Sequence, residues 1–305
     1  MKFAAIDIGS NAVRLLICNV SKNDGRSLIK KELLVRSPIR LGEQAFLDGR
    51  IYDNKINMLT KAMSAYRNLM DIYGVRHYKA FATSAMREAE NGEEIVARIK
   101  RQIDIDIEII SGQNESVTIF ETYRKKLQDH EHQTFMSVDV GGGSTELVLF
   151  HEDKIIDSKS FKIGTIRLLN EQVEESTWDA LKNWLTPLVE KYPKIYGLGS
   201  GGNIIKIHKL YVNGSQKTPI TPEILAHVDE HLNGFTLRER IHVMGLKPDR
   251  ADVIIPATTI FRNVMEWTKM EKLFVLKLGL SDGIIKELYK KHKHEIISTS
   301  VTHKA

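Results

Sequence analysis

Two stretches of this chain pair an acidic residue with a glycine turn at matching offsets. The first is Asp7-Ile8-Gly9-Ser10-Asn11-Ala12-Val13-Arg14-Leu15, the second Asp139-Val140-Gly141-Gly142-Gly143-Ser144-Thr145-Glu146-Leu147. Glycine permits backbone conformations that a side chain forbids. A turn built on it can aim several N–H groups at one anion with nothing blocking the approach, which suits a phosphate. One such loop is a weak signal. Two of one design predict a pair that hold a single polyanion between them. The second stretch also carries Asp139 and Glu146 on either side of its turn. A hairpin brings these carboxylates back together, where they repel an anionic ligand unless a cation lies between. Magnesium fits, because it keeps several waters and takes one or two carboxylates plus phosphate oxygens. The plainer reading, with Asp139 capping the turn and Glu146 a solvated strand residue, stays open on sequence.

Three more segments could serve a phosphate. Ala82-Thr83-Ser84-Ala85-Met86-Arg87 has a hydroxyl cluster with Arg87 three residues beyond Ser84. The planar guanidinium fork matches phosphate oxygens, although taken alone the segment reads better as a helix cap with an exposed Arg87. Ile110-Ser111-Gly112-Gln113-Asn114-Glu115 ends a strand and opens a helix. A Glu in a first turn ordinarily just complements the helix dipole; in a cleft, Glu115 could orient a water for attack on phosphorus. Gly197-Leu198-Gly199-Ser200-Gly201-Gly202-Asn203 lies between a strand and a helix, a place that commonly receives phosphate or nucleotide. Asn203 breaks the dinucleotide fingerprint, and no Gly-Lys-Ser/Thr follows to make a Walker loop. Cys18 reads as core. His292 and His294, in a lysine-rich run, read as solvated residues rather than ligands. Trp178, Trp184 and Trp267 read as core or interface anchors.

Positioning these groups takes alternating strands and helices. Apolar runs at 3–6 and 135–138 lead into the two turns, and runs at 15–20 and 147–150 leave them, so both read as strand, tight turn, strand. Their recurrence predicts a duplicated domain, split near residue 125. Ile56, Leu59, Met63, Tyr66, Met70 and Tyr73 keep a helical period over 53–73. Residues 78–82 and the alternation Ile105, Ile107, Ile109, Ile110 read as strands, and 115–127 as a helix. Further on, 177–191 reads as a helix capped by Thr177, and 195–198 as a strand. Residues 251–267 and 282–294 read as helices, with Pro256 marking a bend or boundary in the former. The alternation predicts an α/β fold.

Composition sets outer bounds. The chain has 305 residues, 42% hydrophobic and 27% charged, ordinary for a soluble globular protein of two domains. A single cysteine excludes an intramolecular disulfide and a cysteine-based zinc site. The net charge of +5 suits an anionic ligand and is too small to argue for nucleic acid. No apolar run approaches the roughly 20 residues that span a bilayer, and Asp7 interrupts any signal-peptide core. A cytoplasmic protein with no nucleic-acid or membrane partner is expected.

Taken together, these motifs resemble the exopolyphosphatase and guanosine pentaphosphate phosphatase (Ppx/GppA) family, of the actin, sugar-kinase and heat-shock ATPase superfamily. The likeness covers nearly the whole chain. Asp7-Ile8-Gly9-Ser10-Asn11 with Arg14-Leu15 resembles the family's first phosphate motif, and 139–146 its second and most specific one. Ala82-Thr83-Ser84-Ala85 with Arg87 and Asn91 is similar to another block, as is Ile110-Ser111-Gly112 with Glu115. Gly164 with Arg167, Gly199 to Gly202, and Arg250 with Asp252 are similar to later positions. The resemblance implies two ribonuclease H-like (actin-like) α/β domains, 1–125 and 126–305, with the active site in the cleft between them. The C-terminal helix, about 282–297, is a candidate to join the first domain. It further implies hydrolysis of a terminal phosphoanhydride with Mg2+ or another divalent cation. Carried over by position, Glu115 activates the attacking water, and Asp139, Glu146 and Asp7 hold the metal. Gly9, Ser10, Asn11, Arg14, Ser84, Arg87, Gly141, Gly142, Gly143, Ser144, Thr145, Arg167 and Gly201 bind phosphate.

The chain departs from the family pattern in two places. Asn114-Glu115 stands where two consecutive Glu are common, and Gly279-Leu280-Ser281-Asp282-Gly283 stands where the pattern is Gly-Leu-Arg-Glu-Gly. The length resembles the family's short form, which implies a shorter polyanion channel. The leading expectation is an exopolyphosphatase acting on inorganic polyphosphate, with a symmetric homodimer the common oligomeric expectation. A guanosine pentaphosphate (pppGpp) 5′-phosphohydrolase is the alternative, and would need a guanine pocket that no segment declares. A non-hydrolytic polyphosphate or nucleotide sensor and a sugar or acetate kinase are the readings from other classes.

Overall fold

The computed structural model describes residues 1–23, 26–123, 133–152, 154–212 and 218–302. Its contacts divide the chain into two units, Met1–Ser111 with Leu280–Ala305, and Gly112–Gly279. The junction expected near residue 125 falls in 124–132, outside the described residues.

The first unit contains β1 (Lys2–Ile8), β2 (Val13–Asn23), β3 (Arg26–Ser37), α1 (Gly42–Leu47), α2 (Asp53–Ile72), β4 (His77–Ala82), α3 (Ser84–Glu88), α4 (Gly92–Ile103) and β5 (Glu108–Ile109). The second contains α5 (Gly112–Tyr123), β6 (Thr134–Val140), β7 (Thr145–His151), β8 (Lys154–Phe161), α6 (Thr165–Leu169), α7 (Glu175–Lys191), β9 (Ile195–Ser200), α8 (Gly202–Tyr211), α9 (Pro222–Asn233), α10 (Leu237–His242), α11 (Pro248–Ala251), α12 (Ile254–Trp267) and β10 (Leu273–Val275). Then α13 (Leu280–Thr302) returns to the first unit.

The two sheets have one topology. Their orders are β3-β2-β1-β4-β5 and β8-β7-β6-β9-β10. In each, the first three strands form an antiparallel meander and the last two join in parallel. The duplication read from the two hairpins is thus a duplication of whole sheets, and the fold is the two-domain, ribonuclease H-like α/β class. β1 is apolar on nearly every residue because both faces are covered, as a strand in the middle of a layered sheet requires. Ala4, Ile6 and Ile8 pack with the stripe Ile56, Leu59, Met63, Tyr66 and Met70 of α2, while α13 packs on β1, β2 and β4. In the second unit Met136, Val138, Leu147 and Leu149 meet Ile204, Ile207, Ala257, Ile260 and Phe261.

Some elements differ from their sequence reading. The isoleucine run at 105–110 makes only the two-residue β5, at the edge of the sheet; Ile105, Ile107 and Ile110 are buried all the same. The helix read from Thr177 starts a turn earlier, where Glu174 is still extended, and the Thr177 N–H bonds the Glu174 carbonyl. Pro256 sits in the first turn of α12, where a missing N–H costs no helical hydrogen bond. No helix among the described residues is long and apolar enough to cross a membrane.

Candidate active site

The site is built on the β6–β7 hairpin. A four-residue turn, closed by Gly141 N–H on the Ser144 carbonyl (2.9 Å), pairs Val140 with Thr145 and hence Asp139 with Glu146. The chain after β8 fastens this turn from one side. Thr165 N–H bonds the Gly141 carbonyl (3.0 Å), Ile166 N–H the Gly142 carbonyl (2.8 Å) and Arg167 Nε the Gly143 carbonyl (2.8 Å). In a trans peptide the C=O and the next N–H point opposite ways. Anchoring those three carbonyls therefore aims the N–H groups of Gly142, Gly143 and Ser144 away from α6, as a nest for an anion needs. Gly164 allows this, since a Cβ there would stand 2.3 Å from the Gly142 carbonyl oxygen.

Three carboxylates meet beside the turn. Glu115, Asp139 and Glu146 each offer one oxygen, all within 4.8 Å of one another. Glu146 is buried and accepts from Ser144 Oγ (2.5 Å) and Ser160 Oγ (3.0 Å). Asp139 accepts from Ser200 Oγ (2.6 Å), a buried hydroxyl at the end of β9. Glu115 arrives from the first turn of α5, which packs on β7 and β8. Its approach depends on Gly112: a Cβ there would stand 2.6 Å from both Cβ and Oγ of Ser160. Full charges at 4.8 Å repel by about 3 kcal/mol per pair at an effective dielectric of about 20. A divalent cation reverses that sign, and three carboxylate oxygens are the hard donor set such an ion takes. The residues therefore fit a divalent metal.

The first unit repeats the design with different side chains. Gly9 N–H closes its turn on the Ala12 carbonyl (3.2 Å), and Arg40 and Gly42 N–H groups hold the Asn11 and Ser10 carbonyls (3.0 and 2.9 Å). Arg14 occupies the place that Glu146 has in the second unit, opposite Asp7, and the two form an ion pair at 2.7 Å. Asp7, expected among the metal ligands, is thus paired with a cation of its own chain. Ser10 and Ser84, both buried, bond each other through their hydroxyls at 2.8 Å.

Other expected residues take supporting positions. Arg87 donates to the Ile110 carbonyl (2.6 Å) from α3. Buried Arg167 grips the turn itself. Thr145 Oγ1 donates to the Ile163 carbonyl (2.5 Å), so its hydroxyl braces the hairpin. Gly201, at φ +98°, caps α8 beside Asp139. Asp282, one of the departures noted above, pairs with Lys31 at 2.6 Å, which absorbs its charge within the first unit. Ser160 and Ser200 were not foreseen as site residues. Ser200 stood in the glycine-rich block, but Ser160 carried no motif signal.

Paired α/β units of one topology, with carboxylates clustered beside a glycine hairpin, define a protein of the ribonuclease H-like, actin-like class. The sequence profile described as the Ppx/GppA phosphatase family matches residues 25–292. The chain belongs to that family. It is 27% identical over 286 residues to a bifunctional 3-dehydroquinate synthase/phosphatase of Fusobacterium nucleatum, covering 87% of this chain and 43% of that protein. The chain thus spans less than half the length of that relative. It is 22% identical to exopolyphosphatase 1 of Mycobacterium tuberculosis, covering 93% of this chain and 87% of that one. The crystal structure of an exopolyphosphatase from Cytophaga hutchinsonii superposes with a TM-score of 0.81 at 22% identity, covering 95% and 98% of the two chains, and shares the fold.

Proposed function

We propose that this chain is a metal-dependent exopolyphosphatase that releases the terminal phosphate of inorganic polyphosphate in the cytoplasm. The observation that carries the reading is the convergence of Glu115, Asp139 and Glu146 within 4.8 Å beside a turn whose N–H groups are aimed by three anchored carbonyls. Relatives named exopolyphosphatase support the substrate.

Hydrolysis needs a water oriented in line with the terminal phosphorus and charge neutralisation around it. Glu115 accepts a proton from that water as its oxygen bonds phosphorus. The bridging P–O bond breaks, its electron pair staying on the oxygen of the shortened chain, whose last unit becomes the new terminus, and the attacked phosphorus leaves as inorganic phosphate. Asp139 and Glu146 would hold the cation, their carboxylates kept in place by the Ser200, Ser144 and Ser160 hydroxyls. When bound, Mg2+ would supply positive charge that offsets the carboxylates and the negative charge of the phosphoryl group. The Gly142, Gly143 and Ser144 N–H groups bind non-bridging oxygens. In the first unit, the turn at Gly9, Ser10 and Asn11 binds phosphate with Arg87 and with Arg14, which Asp7 holds in orientation.

The test is phosphate release from polyphosphate and from pppGpp in parallel, with magnesium and with EDTA, in wild type and Glu115→Gln. The expected result is magnesium-dependent release, faster from polyphosphate, falling by about 10²–10⁴ in the variant while polyphosphate still binds. Unchanged turnover in Glu115→Gln removes that residue from the mechanism. A preference for pppGpp reverses the substrate assignment, and binding without release under any condition makes the protein a sensor.

A further inference from the structure

A second set of metal-type donors lies in the first unit, where α13 covers the sheet. His77 opens β4, while His292 and Glu295 stand three residues apart on α13, a spacing that puts both on one side of the helix. His77 Nε2 lies 2.8 Å from Glu295 Oε2, and His292 Nδ1 lies 2.5 Å from Glu295 Oε1. The imidazoles stack with centroids 3.6 Å apart, 16° from parallel. Fully buried Phe3 packs against both rings, at 5.9 and 6.2 Å, and screens one side from water. The histidines are half-buried and Glu295 is exposed, so the other side is open to an arriving ion. One ligand atom from each residue lies within 4.8 Å of the other two. The lysine-rich run that made His292 read as solvated does not keep it from this contact.

We propose that His77, His292 and Glu295 bind a transition-metal dication, zinc above all, which fastens α13 to β4. Two imidazoles and one carboxylate are a recurrent three-ligand zinc set, with water completing the tetrahedron. Imidazole donors select zinc, copper or nickel, whereas magnesium and calcium prefer oxygen, so the site differs in kind from the carboxylate trio of the second unit. Both ring nitrogens already face one carboxylate, which is the convergence a common ion needs. Binding requires the rings to fan out from their stack by rotation about χ2, a soft torsion. Lys79, near the start of β4, is engaged by Glu287 at 2.6 Å, which offsets its repulsion of a cation.

The test uses full-length, tag-free, metal-stripped protein dialysed against Zn2+, with bound zinc counted and thermal unfolding followed. Wild type should bind zinc tightly and unfold at higher temperature with it. His77→Ala and His292→Gln should each weaken that binding by about 100-fold or more, since even partners of metal ligands are worth 10–100-fold, and should lose the thermal shift. His292→Gln alters a half-buried helix residue and guards against a folding defect at His77. Asp139→Asn, in the second unit, should keep the tight zinc. X-ray absorption of the zinc-loaded wild type should show two imidazoles. Equal zinc affinity in wild type and both histidine variants, or loss of the tight site only in Asp139→Asn, overturns the proposal. Magnesium-dependent phosphate release should be unchanged in His292→Gln.

Discussion

Gly112→Ala tests how Glu115, the proposed catalytic base, is positioned. The new methyl would meet Cβ and Oγ of Ser160 at 2.6 Å, while ordinary carbon contacts begin near 3.5 Å. The first turn of α5 must therefore withdraw from β8 by about 1 Å. Glu115 rides on that same turn, so it withdraws from Glu146 with it. A misplacement of about 1 Å at a reacting group costs on the order of 10²-fold in rate, and overpacking of this size costs about 1–3 kcal/mol of stability. We expect Gly112→Ala to fold, to bind polyphosphate near wild-type affinity, and to release phosphate about 100-fold more slowly. Ser160→Gly removes the obstructing atoms along with one hydroxyl donor to Glu146. The double variant should therefore recover part of the lost rate, and turnover in a four-corner cycle should be non-additive. Full activity in Gly112→Ala, or a double variant slower than either parent, would refute the claim that this close approach sets the position of Glu115.

Three further outcomes are expected. Gly164→Ala places a Cβ at 2.3–2.5 Å from backbone atoms of Gly142 and Gly143, which cannot yield as a side chain does. It should cost about 3 kcal/mol or more, read by urea unfolding from the fluorescence of Trp178, Trp184 and Trp267, all in the second unit. Burial, aided by the nearby Asp282 carboxylate, pushes the Cys18 thiol up to about 12. A raised thiol pKa keeps the neutral form, so at pH 8 about one molecule in ten thousand carries thiolate. A thiol reagent should leave the native protein untouched at that pH and titrate one equivalent in denaturant. Arg167→Met should keep the hydrophobic packing of its stem but release the Gly143 carbonyl, raising KM for polyphosphate more than it lowers kcat; the reverse split would argue against its hold on the turn.

Much of the site was legible because a short turn fixes its own register. A short turn that begins with glycine two residues beyond Asp139 folds the flanking residues back together, so Asp139 was expected to meet Glu146; the matching turn beyond Asp7 sets it opposite Arg14, a pairing not read from the sequence, where Asp7 was expected as a metal ligand. The helical stripe of α2 was legible for the same local reason, since a period of 3.6 is written in the spacing of its apolar residues. The edge strand β5 was overread, because alternating isoleucines signal a strand with one buried face without saying how many residues a neighbouring strand will pair. The helix cap at Thr177 was misplaced by a turn, since Glu174 and Ser176 offer the chain equally polar starts.

What the sequence by itself determined is the pair of hairpins, their glycine turns, the acidic residues at their rims and the alternating elements that carry them. Each is a property of neighbours in the chain. Only the tertiary structure decided that Glu115 joins Asp139 and Glu146, because that meeting requires α5 to lie on β8 with nothing at Gly112 to hold it off Ser160. It likewise decided that His77 faces His292 and Glu295 across the packing of α13 on β4. Such contacts are set by the packing of elements distant in sequence, which no local pattern encodes.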